Sequence, residues 1–287
     1  MRSLAVVMVV LMTWMLAGCA AAPSTPEAAA AAAQKFLEYR VAQNAGAMHG
    51  LLTERAAEAM TEGDIARYIR GEQFQFGSLG LPVVLEDGNV QVPVADYRVT
   101  SGNREVRWPE VRLTLRYEGK RWLVGWVEPL ADRARRAYEN SQYGETLALG
   151  KAISAIDPYH YRGPLETHFA YRGLLRLREA EVALLRAVDL ATVYQQADVE
   201  DAFARFKLSL GHPEDAIPHA RAALEKAEPY VPGLYSARWK ADALVVLGRS
   251  LLLRGDRAGA VAAADAAAGL DPLNAGLAML RRGLSGQ

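Results

Sequence analysis

Cysteine is almost absent from this sequence, whose 287 residues contain only one, Cys19. A single cysteine excludes an internal disulfide, a redox centre of two paired thiols and a zinc site built from several thiolates. An excess of charge of either sign is also lacking, because 33 Lys and Arg balance 33 Asp and Glu. Duplex nucleic acid requires a strongly basic face, so nucleic acid is not an expected partner.

Motifs for common catalytic chemistries are missing as well. No pair among the five histidines has the His-Glu-x-x-His spacing of a zinc protease. The chain has no Gly-x-Ser-x-Gly elbow, no phosphate-binding Gly-Lys-Ser/Thr loop and no dinucleotide fingerprint. We therefore expect no enzymatic activity, no cofactor and no metal ion. Each histidine is expected at the surface or at a helix end: His49, His160, His168, His212 and His219.

The N-terminus has the pattern of an export signal. Arg2 gives a positive start, and residues 4–16 form an apolar run interrupted only by Thr13. A membrane-spanning helix needs about 20 apolar residues, so this run has the length of a signal-peptide core. An ordinary signal peptide with an accidental cysteine and an uncleaved anchor helix are the alternatives.

The string Leu16-Ala17-Gly18-Cys19 resembles the lipobox of bacterial lipoproteins. The resemblance implies cleavage before Cys19, diacylglycerol on its thiol and acylation of the new amine. Residues 1–18 are then a signal peptide and residues 19–26 a lipidated tether, which places the protein in the cell envelope. Ala20 is not acidic, unlike the inner-membrane retention signal, which favours the outer membrane in a cell that has two.

Residues 27–130 are predicted to form a small α+β module, with helices first and an antiparallel sheet after them. Helical patterns cover Phe36 to Val41, Met48 to Ala56 and Asp64 to Ile69. Strand patterns cover Leu81–Leu85, Val90–Val94, Val111–Tyr117 and Trp122–Val127, with turns at Asp87-Gly88-Asn89 and Glu118-Gly119-Lys120.

The string from Tyr117 to Pro129 resembles the last hairpin of nuclear transport factor two-like domains, and is most similar to those at the N-terminus of some penicillin-binding transpeptidases. That resemblance implies a curved sheet that wraps a long helix and forms a conical cavity. Enzymes of this superfamily place acid–base residues in the cavity, but alternation alone places no such pair there in this sequence. The transpeptidase domains resemble a spacer. A binding protein that holds a small molecule or a glycan in the cavity, and an enzyme there, remain alternatives.

The strands also carry basic residues, which allow two interpretations. They could contact an anionic polymer or lipid headgroups, or they could form the solvated face of a hairpin interleaved with Glu105, Glu110 and Glu118. The second is favoured, and Trp108 and Trp122 are expected in the core or at its rim together with Trp126. The basic residues are Arg104, Arg107, Arg112, Arg116, Lys120 and Arg121.

Residues 131–287 are predicted to be helical, and their last part resembles the tetratricopeptide repeat. In a unit from Ala241 to Asn274, Gly248 stands at repeat position 8, Ala260 and Ala267 at positions 20 and 27, and Pro272 at position 32. Another unit, the third in chain order, starts at Ala197, and its Pro229 lies one residue after repeat position 32. A weaker first unit ends near Asp157-Pro158. Between the first and third units the pattern predicts a helix pair of atypical spacing, at residues 164–176 and 179–194. A capping helix is predicted after Asn274.

The resemblance implies a solenoid whose first helices line a concave groove. Position 9, which faces that groove in the family, is Arg135, Arg205 and Arg249 in the three units that align. These arginines could bind carboxylates of a partner chain, or could pair with their own position-2 acids, Glu128, Asp198 and Asp242. The sequence as a whole predicts a lipid-anchored, non-enzymatic envelope adaptor that presents this groove to a protein partner.

Overall fold

The computed structural model describes residues 24–102, 104–227 and 237–286. Within these ranges the chain is mostly helical and has one curled antiparallel sheet. The predictions on Cys19, on the signal peptide and on Pro229 lie outside the described residues. None of the helices in the described ranges combines the length and the apolar character needed to cross a membrane.

Four helices precede the sheet: α1 (Pro26–Val41), α2 (Ala45–His49), α3 (Glu54–Ala59) and α4 (Glu62–Ile69). Thr25 caps α1, since its hydroxyl accepts the N–H of Ala28 at 3.3 Å, and Pro26 fits the first turn. The helix predicted from Met48 to Ala56 is wrong, because the chain leaves the helix at Gly50. The segment between α2 and α3 lies beside the last strand instead, where the N–H of Thr53 donates to the carbonyl of Val124 at 3.1 Å.

The strands are β1 (Glu72–Gln75), β2 (Val83–Val84), β3 (Val90–Ser101), β4 (Arg104–Glu118) and β5 (Arg121–Val124). Their order is β1-β3-β4-β5, β2 also pairs with β3, and all pairs are antiparallel. The sequence patterns miss β1 and make β2 too long. The turn between β4 and β5 has two residues of positive φ, Gly119 and Lys120, which suits the twist of a two-residue hairpin.

Beyond the sheet the described residues form helices alone, and eight of the nine are arranged as four antiparallel pairs. The pairs are α5 (Glu128–Glu139) with α6 (Tyr143–Ile156), α7 (Arg162–Gly173) with α8 (Leu177–Leu190), α9 (Gln196–Ser209) with α10 (Pro213–Ala227), and α11 (Ala237–Leu253) with α12 (Arg257–Leu270). The ninth helix, α13 (Ala275–Ser285), packs on α11 and α12 at the position predicted for a capping helix.

The hydrophobic core around the sheet continues into the first helix pair. One cluster of buried side chains contains Phe36 of α1, Trp126 beyond β5, Leu130 of α5 and Ile153 and Ile156 of α6. The position between residues 130 and 131, the predicted start of the repeats, therefore lies inside a continuous core. The sheet and the first helix pair share their apolar contacts.

Candidate functional site: a groove of arginines on the first helices

The third and fourth helix pairs have the predicted small residues at the crossing of their two helices. Ala204, Ala216 and Ala223 are fully buried in the third pair, and Ala260 and Ala267 in the fourth. In the fourth pair Gly248 approaches the opposite helix so closely that a Cβ there would lie 3.3 Å from the Cβ of Ala263. Small side chains thus set the close crossing of each pair.

The second pair has the same spacing, so the atypical spacing predicted for it is wrong. A unit counted from Tyr161 places Ala180 and Ala187 at positions 20 and 27, and both are fully buried. Position 8 is His168, whose Nδ1 donates to the carbonyl of Ala180 at 2.9 Å. A polar contact across the helix pair therefore replaces the usual small side chain, and this large residue hid the repeat in the sequence.

His168 is buried, although a surface position was predicted for it. Burial lowers its pKa to about 4, the nearby Arg172 adds to this, and the bond to Ala180 opposes it. The ring is thus neutral at pH 7 and packs edge-on against Phe206, with ring centroids 5.2 Å apart. The contact of His168 with Phe206 thus connects the second helix pair with the third.

The first helices of the four pairs, α5, α7, α9 and α11, lie side by side and form one surface. Helix α5 packs on α7, and α9 packs on α11. Helices α7 and α9 are in contact through His168 and Phe206, whose ring centroids are 5.2 Å apart, and the hydroxyl of Tyr161, just before α7, donates to Asp198 of α9 at 3.4 Å. We call the surface of these four helices that carries Arg135, Arg205 and Arg249 the arginine groove.

Arg135 of α5 lies at one end of this groove. Its guanidinium is 5.1 Å from the ring centroid of Phe169 and 3.9 Å from the carboxylate of Glu166, and 41% of its side chain is exposed. A cation over an aromatic face is held in place without using its N–H donors. The Nε of Arg135 is buried without a hydrogen-bond partner among the described residues, so only its terminal guanidinium nitrogens can reach a ligand.

Glu166 of α7 is 0% exposed and forms the base of the groove beneath Arg135. Its Oε1 is 2.7 Å from a guanidinium nitrogen of Arg162, one helical turn earlier. Its Oε2 has no hydrogen-bond partner among the described residues. A buried carboxylate needs a cationic partner, and Glu166 has two, Arg162 and Arg135. Glu166 was not predicted as a groove residue, although the spacing of Arg162 and Glu166 on one helix face was a signal for the pair.

Arg205 of α9 and Arg249 of α11 continue the groove. The Nε of Arg205 donates to Asp201 at 2.7 Å, with 37% of the Arg205 side chain exposed and only 13% of that of Asp201. Burial raises the pKa of Asp201, whereas the charge of Arg205 lowers it. Arg249 is exposed, and no ion pair or side-chain hydrogen bond involves it in the part of the chain that the structure describes.

The position-2 acids do not pair with these arginines, so that interpretation is wrong. Asp198 accepts a hydrogen bond from the Tyr161 hydroxyl, and Asp242 accepts one of 2.6 Å from the side-chain amide of Asn274. Glu128 accepts a hydrogen bond from the N–H of Val127 and raises the pKa of the buried Arg40. The carboxylates that do pair with the groove arginines, Glu166 and Asp201, are buried more deeply than the arginines are. In the groove the guanidinium groups therefore lie nearer to the solvent than the carboxylates that pair with them.

Two aromatic rings extend the groove between the first and second pairs. Tyr138 and Phe169 have ring centroids 5.4 Å apart, and the Tyr138 hydroxyl accepts a hydrogen bond of 2.5 Å from Arg172. Both rings are partly exposed. Phe169 was not assigned to the groove from the sequence, because the second pair was not in register, and Tyr138 is not at the repeat position that was used to assign groove residues.

The interior of the α+β part is occupied by a buried arginine. Arg40 of α1 donates to the Tyr97 hydroxyl, lies 3.3 Å from Glu72, and has its guanidinium 4.4 Å from the ring centroid of Phe74 and 5.4 Å from that of Trp126. Burial lowers the pKa of Arg40, but the acidic groups around it raise the pKa above its ordinary value. The carboxylate of Glu72 is thus paired with Arg40, which stays charged at all ordinary pH values. The alternation of residues along the strands could not reveal this pair.

Two of the basic residues that the sequence places on the strands have acidic partners. Arg107 pairs with Asp96 at 2.5 Å, and Arg112 with Glu110 at 3.1 Å. Trp122 and Trp126 are buried, and Trp108 packs partly buried against the core. These pairs fit the solvated hairpin face favoured from the sequence. No group of three His, Cys, Asp or Glu side chains in the described ranges is placed to hold a metal ion.

No family model matches the chain, and no curated protein matches it. Solved structures that are similar to it include the MamA protein, with 20% identity, TM-score 0.39, and coverage of 52% of this chain and 74% of MamA. The kinesin light chain TPR-like repeats of Podosopora anserina have 15% identity, TM-score 0.45 and coverage of 56% and 84%. YrrB, a TPR protein with an unusual peptide-binding site, has 14% identity, TM-score 0.31 and coverage of 55% and 93%.

Proposed function

We propose that this chain is a lipid-anchored scaffold of the cell envelope that binds an acidic segment of a protein partner in the arginine groove. One observation carries the proposal. Along the groove the side chains of Arg135 and Arg205 are 41% and 37% exposed and Arg249 is exposed, whereas the carboxylates that pair with the first two, Glu166 and Asp201, are only 0% and 13% exposed. Guanidinium groups recognise carboxylates through two parallel N–H bonds, so this surface is suited to an acidic ligand.

The rest of the chain has supporting roles in this proposal. Cys19 carries the lipid, the residues after it are the tether, and the α+β part is a spacer similar to nuclear transport factor two-like domains. The spacer role is supported by the interior of that part, which is filled by Arg40 and the rings of Phe74, Tyr97 and Trp126. Helical pairs with small residues at their crossings supply a rigid surface for the partner.

Partner capture tests the groove. Full-length protein with Arg135→Ala, Arg205→Ala and Arg249→Ala is expected to retain at most about a tenth of the protein that the wild type captures from an envelope extract, since each lost charged contact weakens binding. The readout is quantitative mass spectrometry of captured proteins. Capture should also fall as salt rises from about 0.05 M to about 0.5 M.

The matched control removes three exposed arginines elsewhere: Arg70, Arg221 and Arg281. The same partner should be captured by this control at the wild-type level. Equal capture by the groove variant and the wild type would show that the partner binds another surface.

The lipid anchor has a separate test. Cys19→Ala is expected to abolish incorporation of a fatty-acid probe, since the thiol is the proposed acyl acceptor. Labelling is read by in-gel fluorescence after growth with an alkyne fatty acid. Label that persists in this variant would contradict the anchor and leave the groove proposal intact.

A further inference from the structure

The outward face of α8 has an unusual order of exposed side chains. Arg178, Val182, Leu185 and Asp189 are spaced by four, three and four residues, which places all of them on one face of the helix. Val182 and Leu185 are 68% and 53% exposed. Arg178 and Asp189 are exposed too, and neither forms an ion pair within the described ranges. This face therefore presents two apolar side chains between an unpaired cation and an unpaired anion.

This order of side chains along α8 is complementary to the same order read in the opposite direction. If two copies of α8 pack antiparallel around a two-fold axis between Val182 and Leu185, each Arg178 lies opposite Asp189 of the other copy. Each Val182 then lies opposite Leu185 of the other copy. An interface of this kind uses the same patch twice, so every contact is formed two times. The charges thus select a second copy of this chain as the occupant of the face.

The turn before α8 adds a second observation. Leu175 is 81% exposed and has a positive φ of 59°. The equivalent residues in the turns of the other three helix pairs are Ser141, Gly211 and Gly255. A leucine in the left-handed region is unfavourable, and so is its exposure to water, so one residue combines two local costs. Both are offset if the side chain is buried by a partner.

Leu175 also lies at the right place for the pairing. It precedes the N-terminal end of α8, and the exposed Val193 follows the C-terminal end. In an antiparallel pair the N-terminal end of each helix lies beside the C-terminal end of the other. Leu175 of each copy is thereby brought towards Val193 of the second, which extends the apolar contact at both ends.

We propose that α8 is a homodimer contact in which this face pairs antiparallel with the same face of a second copy. The 14 residues of α8 extend about 21 Å, so the contact is of modest size and its dissociation constant is expected in the micromolar range. The contact leaves the arginine groove open, because it uses a second helix of a pair and the groove lies on the first helices. Pairing through α8 does not depend on what the groove binds.

Charge exchange tests the pairing. Sedimentation velocity on the chain from residue 19 with Cys19→Ala, which contains every described residue, is run from about 1 μM to about 500 μM. We expect concentration-dependent dimers for this protein. Arg178→Asp and Asp189→Arg should each raise the dissociation constant about tenfold or more, because each places like charges opposite one another twice. The protein with both changes should return to within about threefold of the starting value, since the pairs are re-formed with reversed sign.

Arg221→Asp on α10 is the matched control, because it makes the same charge change on an exposed arginine outside α8, and it should leave dimerisation unchanged. Val182→Ser with Leu185→Ser should abolish dimers while the circular dichroism spectrum stays that of the parent. A protein that is monomeric at all concentrations overturns the proposal. So does a dimer that tolerates both single charge changes, or one that the double exchange does not restore.

Discussion

Replacing Arg40 with methionine is expected to lower the free energy of unfolding by about 3 kcal/mol. The methionine side chain fills a similar volume, but it leaves the buried Tyr97 hydroxyl and the carboxylate of Glu72 without the cation that they contact. Removing one member of a buried charged cluster is costly because the remaining polar groups lose their partner and stay away from water. The contacts with the rings of Phe74 and Trp126 lose their charge as well.

Urea unfolding followed by circular dichroism and tryptophan fluorescence measures this change. Lys35→Met in the same helix is the control, since Lys35 is exposed and its replacement should shift the free energy by less than about 0.5 kcal/mol. Glu72→Gln should cause a smaller loss than Arg40→Met, because a neutral amide still accepts a hydrogen bond. An Arg40→Met protein that unfolds at the urea concentration of the Lys35→Met protein would mean that the arginine contributes no net stability.

The second large effect is expected at Gly163, at a close approach between α6 and α7. A Cβ on Gly163 would lie 3.0 Å from the backbone nitrogen of Ser154, and one on Gly150 would lie 2.9 Å from the backbone nitrogen of Thr167. Backbone atoms cannot move aside as a flexible side chain can. Gly163→Val should therefore separate the first and second helix pairs and cost about 3 kcal/mol, which lowers the melting temperature by about 8 °C.

Gly144→Val provides the matched comparison, because Gly144 lies on α6, the helix that Gly163 contacts. Nothing lies within 4 Å of a Cβ at Gly144, so this change should be neutral or slightly stabilising. Melting is followed by circular dichroism at the helical band for both proteins. Similar melting temperatures for the two variants would show that α6 and α7 are not packed this closely in the folded protein.

The local pattern of small residues was enough to predict the last two helix pairs. Ala204, Ala260 and Ala267 lie where the two successive helices of a pair cross, so their spacing can be recognised within one short stretch of sequence. His168 does not follow that rule, because its contact with Ala180 depends on a hydrogen bond between two helices. The second pair was therefore placed out of register, and with it Phe169 was lost from the predicted groove.

The candidate site could be predicted only in part, and the reason is electrostatic. Arg135, Arg205 and Arg249 follow from one repeat position, and the structure places all three on the first helices. Their partners do not follow, because a carboxylate pairs with the nearest suitable cation in space and not with the one at a fixed spacing. Glu166 joins Arg162 on its own helix and Arg135 on the neighbouring one, a choice that requires the packing of α5 on α7.

Strand β1 and the burial of Arg40 were missed for a related reason. The four residues of β1 include two glutamines and a glutamate, and only their pairing with the end of β3 makes them a strand. Arg40 lies among the apolar residues whose spacing predicts the helix from Phe36 to Val41, and that spacing gives no sign of a buried charge. Its burial depends on Tyr97 and Glu72, which are far away in sequence and arrive only when the sheet folds over α1.

The shared core of α1, the sheet and the first helix pair has a consequence for how the repeats end. A stack of helix pairs leaves an apolar face bare at each terminus unless something covers it. At the C-terminal end α13 covers α11 and α12. At the other end Phe36, Trp126 and their neighbours cover Ile153 and Ile156, so the sheet serves as the lid of the stack. Protein expressed from residue 131 onward would expose that apolar face and should aggregate, whereas protein that begins at residue 24 keeps both lids.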